Sequence, residues 1–131
     1  MASIFSKIVV GEIPCHKVAE TENCLAFLDI NPVRLGHTLC IPKKEVDYIY
    51  DLDDDALSEL TLFSKKVARK IEKVFPCNRV GVTVIGLEVP HAHIHLIPIN
   101  TLRDMDFTSP KLDPGHPKLA EIAAQLSAIE D

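Results

Sequence analysis

Apolar residues recur along the chain in two patterns, one typical of β-strands and one typical of α-helices. Short apolar runs at residues 24–29 (CLAFLD) and 38–41 (TLCI) predict two strands. The second run follows Gly36 and stops at Pro42, which has no N–H group and so cannot continue a hydrogen-bonded ladder in mid-sheet. Further strands are predicted at 16–19 (HKVA), 80–85 (VGVTVI) and 92–97 (AHIHLI).

The longest helical pattern begins after Asp53 and ends before Pro76. Its apolar residues recur at spacings of three and four, which places them on one face of a helix that would pack against a sheet. A second helical pattern at 118–129 predicts a short closing helix. The segment 101–117 has three prolines and little periodicity, so it is interpreted as an irregular arm. The apolar face of the long helix comprises Leu57, Leu60, Phe63, Val67, Ile71 and Val74.

Together these elements predict an α+β fold, with about five strands in an antiparallel sheet, one long helix and one short helix. The pattern does not fix the order of the strands. The 131 residues suit a single domain, 1–131.

Composition narrows the classes of partner. The net charge of −5 gives no basic surface for duplex nucleic acid, and no apolar run is long enough to span a membrane. The first residues lack the apolar core of a signal peptide, and no two cysteines form a C-x-x-C pair. We therefore expect reduced thiols and a cytoplasmic protein. The four cysteines are Cys15, Cys24, Cys40 and Cys77.

Half of the six histidines fall within five residues, at His91, His93 and His95. Side chains of a strand alternate between its faces, so these three would share one face while Ala92 and Ile94 point to the core. Three interpretations remain open at this point. The face could be merely exposed, it could hold a catalytic zinc ion, or one imidazole could attack phosphorus while its neighbours bind phosphate.

The residues themselves resemble a known family. Residues 91–97 (HAHIHLI) are similar to the histidine triad (HIT) signature, in which three histidines alternate with hydrophobic residues. The resemblance covers about residues 3–100 and is closest to the bacterial type of the family's nucleotide phosphoramidase branch. Four earlier blocks match in the family's order, namely 4–8 (IFSKI), 11–14 (GEIP), 25–30 (LAFLDI) and 36–43 (GHTLCIPK).

This resemblance implies a role for each histidine. His93 would attack the α-phosphorus of a nucleotide and form a covalent nucleotidyl intermediate, with its second ring nitrogen oriented by a backbone carbonyl. His95 and His37 would donate hydrogen bonds to non-bridging phosphate oxygens, and His91 would support the strand. Hydrolysis is implied because His95 is kept, whereas the transferase branch has Gln there.

The resemblance also implies a nucleoside site. Asp29 matches the acid that binds the ribose hydroxyls, although it could simply cap a turn at Asn31 and Pro32. Five apolar residues match the slot for the base, although they could equally be ordinary core residues. They are Ile4, Phe5, Ile8, Phe27 and Ile30.

Two departures from the family matter. Many bacterial relatives hold a structural zinc ion with two cysteines and a later histidine, where this chain has Ser3, Ser6 and Glu45. Hydroxyls are poor zinc ligands, so we expect no metal. The loop at 83–90 is also shorter than is usual, and it places Glu88 about where a leaving-group-contacting hydroxyl would lie. A carboxylate there would repel a phosphate-bearing leaving group or act on an amine.

The resemblance finally implies a homodimeric hydrolase, without cofactor, of purine nucleoside phosphoramidates or related conjugates such as adenylated lysine. Pairing would involve the long helix and a sheet edge, and 80–85 would otherwise be a flat apolar edge. Two alternatives remain: a dinucleoside polyphosphate hydrolase of the same fold, and a non-catalytic nucleotide-binding protein.

Overall fold

A computed structural model describes residues 2–130 and contains a five-stranded sheet in the order β1-β2-β3-β5-β4. Every neighbouring pair of strands is antiparallel, which confirms the expected α+β class. The strands are β1 (Lys17–Glu20), β2 (Cys24–Leu28), β3 (Thr38–Pro42), β4 (Arg79–Thr83) and β5 (Ile94–Ile99). The helices are α1 (Ile4–Val9), α2 (Asp54–Val74) and α3 (His116–Ser127), with 3-10 turns at Ile49–Asp51 and Leu102–Met105.

The two longer helices cover one face of the sheet. Their buried side chains form a single apolar cluster with the strand residues that point the same way, among them Cys40, Ile94 and Leu96. The predicted face of α2 lies in this cluster: its four central residues are buried and its two ends, Leu57 and Val74, are partly buried. The helix begins as its sequence suggests, with the Asp53 carboxylate accepting a hydrogen bond from the N–H of Ala56 at 2.8 Å.

The opposite face of the sheet carries a smaller apolar cluster built around α1. Phe5 packs there on alternate residues of β2 and β3, namely Leu25, Phe27, Leu39 and Ile41. The alternation of strand side chains therefore divides the core in two, and it directs His95 to the α1 side.

Helix α1 was not expected from the sequence. It has only six residues, too few for a helical period to stand out, and its one local signal is the N-cap. Ser3 provides that cap, because its hydroxyl accepts a hydrogen bond from the N–H of Ser6 at 3.0 Å.

The prediction of a strand at 92–97 was partly wrong. The segment before Ile94 leaves the ladder, because the N–H of Ala92 bonds to the carbonyl of Val46 at 2.7 Å and not to a neighbouring strand. At the other end β5 continues through Pro98. A proline is tolerated there because β3 pairs only with residues 94–96, which leaves the rest of β5 with a strand on one side only.

Other predicted boundaries shift by one to two residues. β3 includes Pro42, and β2 ends at Leu28, which leaves Asp29 just beyond the strand. α3 begins at His116, two residues early, because Gly115 adopts a positive φ of 84° before the helix. The irregular arm contains the 3-10 turn at Leu102–Met105, which a capping box between Thr101 and Asp104 stabilises.

Gly36 fixes the entry into β3 and thereby the position of His37. Its φ of +94° lies in the left-handed region, and a Cβ atom there would lie 2.9 Å from the ring of Phe75 and 3.1 Å from Pro98. Only glycine satisfies both requirements.

All four cysteines are free. Within residues 2–130, no helix has the length and apolar character needed to cross a membrane.

Candidate active site

Four histidines meet on the α1 side of the sheet, where β3 and β5 adjoin. His95 lies on β5 opposite Leu39, His37 immediately precedes β3, and His91 and His93 lie in the segment that leads into β5. All four side chains are buried, with exposed fractions between 0% and 8%. The rings of His93 and His95 approach to 4.8 Å between centroids.

The hydrogen bonds of His93 leave one ring nitrogen available as a nucleophile. Its Nδ1 lies 2.7 Å from the carbonyl oxygen of His91, which can only accept, so Nδ1 carries the proton. Nε2 of the neutral ring then keeps its lone pair. The backbone carbonyl contact expected from the sequence is thus present.

His37 and His95 form a directed chain. The N–H of Val33 donates to His37 Nδ1 at 3.1 Å, so the proton of a neutral His37 is on Nε2. That Nε2–H donates to His95 Nδ1 at 2.9 Å, which places the proton of His95 on Nε2. His95 therefore offers an N–H, as expected. Both nitrogens of His37 are already engaged, so this geometry favours a positioning role for His37 over direct contact with phosphate.

The pKa values of both rings favour the neutral state. Burial lowers the pKa of His37 to about 3, with further lowering by His95. Burial, followed by the proximity of His93, lowers the pKa of His95 to about 4. At neutral pH the two rings are therefore uncharged, and His95 acts as a neutral hydrogen-bond donor.

His91 is held by contacts at both ring nitrogens. Its Nε2–H donates to the carbonyl of Pro42 at 2.7 Å, and the hydroxyl of Ser3 donates to Nδ1 at 2.9 Å. Glu45 completes the cluster by accepting from the hydroxyl of Ser6 at 2.7 Å and from the N–H of Ser3. These contacts fix the position of His91, whose own carbonyl accepts the hydrogen bond from His93.

The same cluster occupies the place where bacterial relatives would hold zinc, but its donors do not suit that ion. Two hydroxyls replace thiolates, and both already hydrogen-bond within the cluster. In the part of the chain that the structure describes, no group of three or more His, Cys, Asp or Glu side chains is arranged to hold a metal ion.

Asp29 uses one carboxylate oxygen to cap a turn and directs the other toward the histidines. One carboxylate oxygen accepts from the N–H of Asn31 at 2.9 Å and so caps the turn. The other oxygen lies 3.8 Å from Nε2 of His37 and lines a cavity beside the histidines. Burial raises the pKa of Asp29 above its usual value.

Two cavities join at the histidines. The first, of about 290 Å³, lies between α1 and the sheet and is mainly apolar. The second, of about 500 Å³, extends to the other side of His93 and His95. Asp29, Glu88, His93 and His95 line both and therefore mark their junction. All five residues of the expected base slot, Ile4, Phe5, Ile8, Phe27 and Ile30, line the first cavity.

Phe5 connects the apolar cavity to the histidines. Its ring meets that of His93 edge to face at 5.0 Å and that of Phe27 at 5.4 Å. The ring of Phe5 thus forms a wall of the cavity and also limits the movement of His93.

Two residues at the second cavity were not anticipated, because they come from the irregular arm. Phe107 packs edge-on against His95 at 4.9 Å and His37 at 5.8 Å, and Lys111 lines the same cavity. No local sequence pattern predicts that either residue lies at the site. Only the fold of the arm over the β2–β3 turn brings them to the site.

Comparisons with known proteins show what this chain is similar to. A family model described as the HIT domain matches residues 10–102. An uncharacterized HIT-like protein of Methanocaldococcus jannaschii is 42% identical over 102 residues, which cover 72% of this chain and 77% of the relative. The adenosine 5'-monophosphoramidase hnt1 of Schizosaccharomyces pombe is 39% identical, with coverage of 75% and 74%.

A solved structure extends the likeness beyond the matched domain. The Hit-like protein of Bartonella henselae involved in cell-cycle regulation superposes with a TM-score of 0.84 at 30% identity. That likeness covers 96% of this chain and 94% of the other. The order of the strands, the buried histidines and these matches lead to one conclusion: the chain belongs to the histidine triad (HIT) family.

Proposed function

We propose that this protein hydrolyses purine nucleoside 5′-phosphoramidates or similar nucleotidyl conjugates through a covalent intermediate on His93. The observation that carries the proposal is the hydrogen bond from His93 Nδ1–H to the carbonyl of His91, which leaves Nε2 free at the junction of the two cavities. The named activity of the fission yeast relative supports a phosphoramidase over other nucleotide hydrolases.

In the first step, the lone pair of His93 Nε2 attacks the α-phosphorus and the phosphorus–nitrogen bond breaks. The amine leaves with the electron pair of that bond and takes up a proton from the solvent. In the second step, water adds its hydroxyl to phosphorus, the phosphorus–Nε2 bond breaks with its electron pair returning to Nε2, and the proton of water is released to the solvent. His95 Nε2–H would donate to a non-bridging oxygen in both transition states, where negative charge increases.

The nucleoside would occupy the apolar cavity. Purines suit it because their fused rings offer more stacking area than pyrimidines do. The free oxygen of Asp29 would accept from the ribose hydroxyls. His91, Ser3 and Glu45 would act on the reaction only through the position of the His91 carbonyl.

The substrate class is tested by comparing an adenosine 5′-phosphoramidate with diadenosine polyphosphate. We expect kcat/KM to favour the phosphoramidate by at least about tenfold, because the Glu88 carboxylate at the cavity junction repels a leaving group whose phosphate is directly next to the scissile bond. The Glu88→Gln variant should narrow that difference. A preference for the polyphosphate would support the alternative hydrolase, and loss of activity to a chelator would contradict a mechanism that needs no metal.

We also propose that the protein is a homodimer paired through β4. This strand is at the edge of the sheet, and Val82 on it is 63% exposed. Val82→Lys should shift the mass measured by light scattering from two chains toward one. Val10→Lys, at a residue that is 70% exposed beyond the end of α1, is the matched control and should leave the mass unchanged. A wild-type protein of one-chain mass would refute the dimer.

A further inference from the structure

The irregular arm builds the far wall of the second cavity. The N–H of Leu112 donates to the carbonyl of Pro32 at 2.9 Å, which fastens the arm to the turn that follows Asp29. The side chain of Asn31 adds a contact to the carbonyl of Leu112 at 3.5 Å. Between this attachment and the 3-10 turn, the arm places Phe107 against the histidines.

Lys111 lines that cavity and is held by the arm itself. Its ammonium group donates to the carbonyl oxygens of Phe107 and Ser109, and it lies 5.9 Å from the centre of the Phe107 ring. Among the described residues that line this cavity, Lys111 is the one lysine or arginine. Because His37 and His95 are neutral at pH 7, neither contributes a fixed positive charge beside it.

The cavity arrangement assigns a place to each part of a substrate. A nucleotide with its base in the apolar cavity and its phosphorus at His93 would place its remaining substituent in the second cavity, because the second cavity shares four lining residues with the first. The neighbouring cavity beside Tyr48 shares only His93 with the first. Lys111 lines the second cavity and not the first. Its charge therefore faces the leaving group and not the base.

We propose that Lys111 and the arm form a leaving-group subsite for an amine that carries an acidic group at its far end. This inference rests on the proposed function and specifies its substrate. Glu88, at the junction, lies near the departing nitrogen and favours a group that becomes a cationic amine. Lys111, which lines the second cavity but not its junction with the first, binds a carboxylate or phosphate by a charge-assisted hydrogen bond.

The test uses three adenosine 5′-phosphoramidates that differ only in the leaving amine: propylamine, β-alanine and O-phosphoethanolamine. We expect Lys111→Gln to lower kcat/KM for the two acidic substrates by roughly ten- to hundredfold, as for a lost hydrogen bond to a charged group. Turnover of the propylamine substrate should change less than about twofold. The larger loss identifies which acid the subsite prefers.

Two matched variants complete the experiment. Lys111→Arg should restore most of the selectivity, because it keeps the charge. Lys118→Gln removes an exposed lysine of α3 that pairs with Glu121 and should change nothing. Equal losses on all three substrates, or no loss on any, would overturn the subsite while leaving the hydrolase in place. Failure of the wild type to cleave even the propylamine substrate would overturn the proposed function, and the subsite with it.

Discussion

Replacement of His93 by alanine is expected to lower the kcat of phosphoramidate hydrolysis by roughly four orders of magnitude or more, as losses of enzymatic nucleophiles do. The reason is geometric. The other three histidines have their ring nitrogens committed to hydrogen bonds, or, for His95 Nε2, carry a proton in place of a lone pair. None of them can replace the Nε2 lone pair of His93. Steady-state kinetics on an adenosine phosphoramidate measures the effect.

The His93→Ala variant should still bind the product AMP. The His93 ring forms only one part of the lining of the apolar cavity, and Asp29 remains in place, so AMP should bind the variant with a Kd within about tenfold of that of wild type. His116→Ala, at an exposed histidine that lies next to His16, is the control and should keep full activity. Mass spectrometry of a slow substrate should place the nucleotidyl adduct on His93. An adduct on another residue, or equal turnover by wild type and H93A, would contradict the mechanism.

Acidification from pH 6.5 to about 4.5 is expected to lower the free energy of unfolding by several kcal/mol. In the unfolded chain His95 and His37 take up protons below pH 6.5, but in the folded protein they do so only near pH 4 and pH 3. Stability is thus complete above pH 6.5 and falls as the pH decreases, because the unfolded state binds more protons. For His95 alone the lowered pKa corresponds to a loss of about 3 kcal/mol in the free energy of unfolding. Urea unfolding at a series of pH values measures it.

The histidines and the carboxylates change the free energy of unfolding in different pH ranges. The surface acids whose pKa is lowered to about 2 by hydrogen bonds, including Glu20, Asp104 and Asp106, lose their contribution only below about pH 4.5. His95→Gln should therefore flatten the curve between pH 6.5 and 4.5, even if it lowers stability overall. Val10→Gln, at an exposed residue that does not titrate, should leave the slope nearly unchanged. A wild-type stability that does not vary across this window would show that the buried rings are not neutral.

Local pattern was enough to predict the long elements. Helix α2 was expected because its apolar face repeats over twenty-one residues. Strand β2 was expected because a strand that is buried throughout its length has a continuous apolar sequence. α1 was missed since six residues hold less than two helical turns. Residues 92 and 93 were predicted to lie in a strand because their alternation continues that of β5. A tertiary hydrogen bond to Val46, which no local pattern reports, removes it from the ladder.

The sequence predicted most residues of the candidate site but not the hydrogen bonds between them. The triad motif and the resemblance named His37, yet the bond between His37 and His95 joins residues fifty-eight positions apart. It depends on the register that sets Leu39 opposite His95. Phe107 and Lys111 had no signal at all, because they reach the cavity through the attachment of the arm to Pro32.

The edge-to-face contact between Phe5 and His93 has a consequence for how specificity can change in this protein. The aromatic ring that a base would touch is also the ring that limits the nucleophile's range of orientations. Substitutions on α1 that admit a different base should therefore alter KM and kcat together. New base preferences would arise here at some cost in rate, unless a second change restores the alignment of His93.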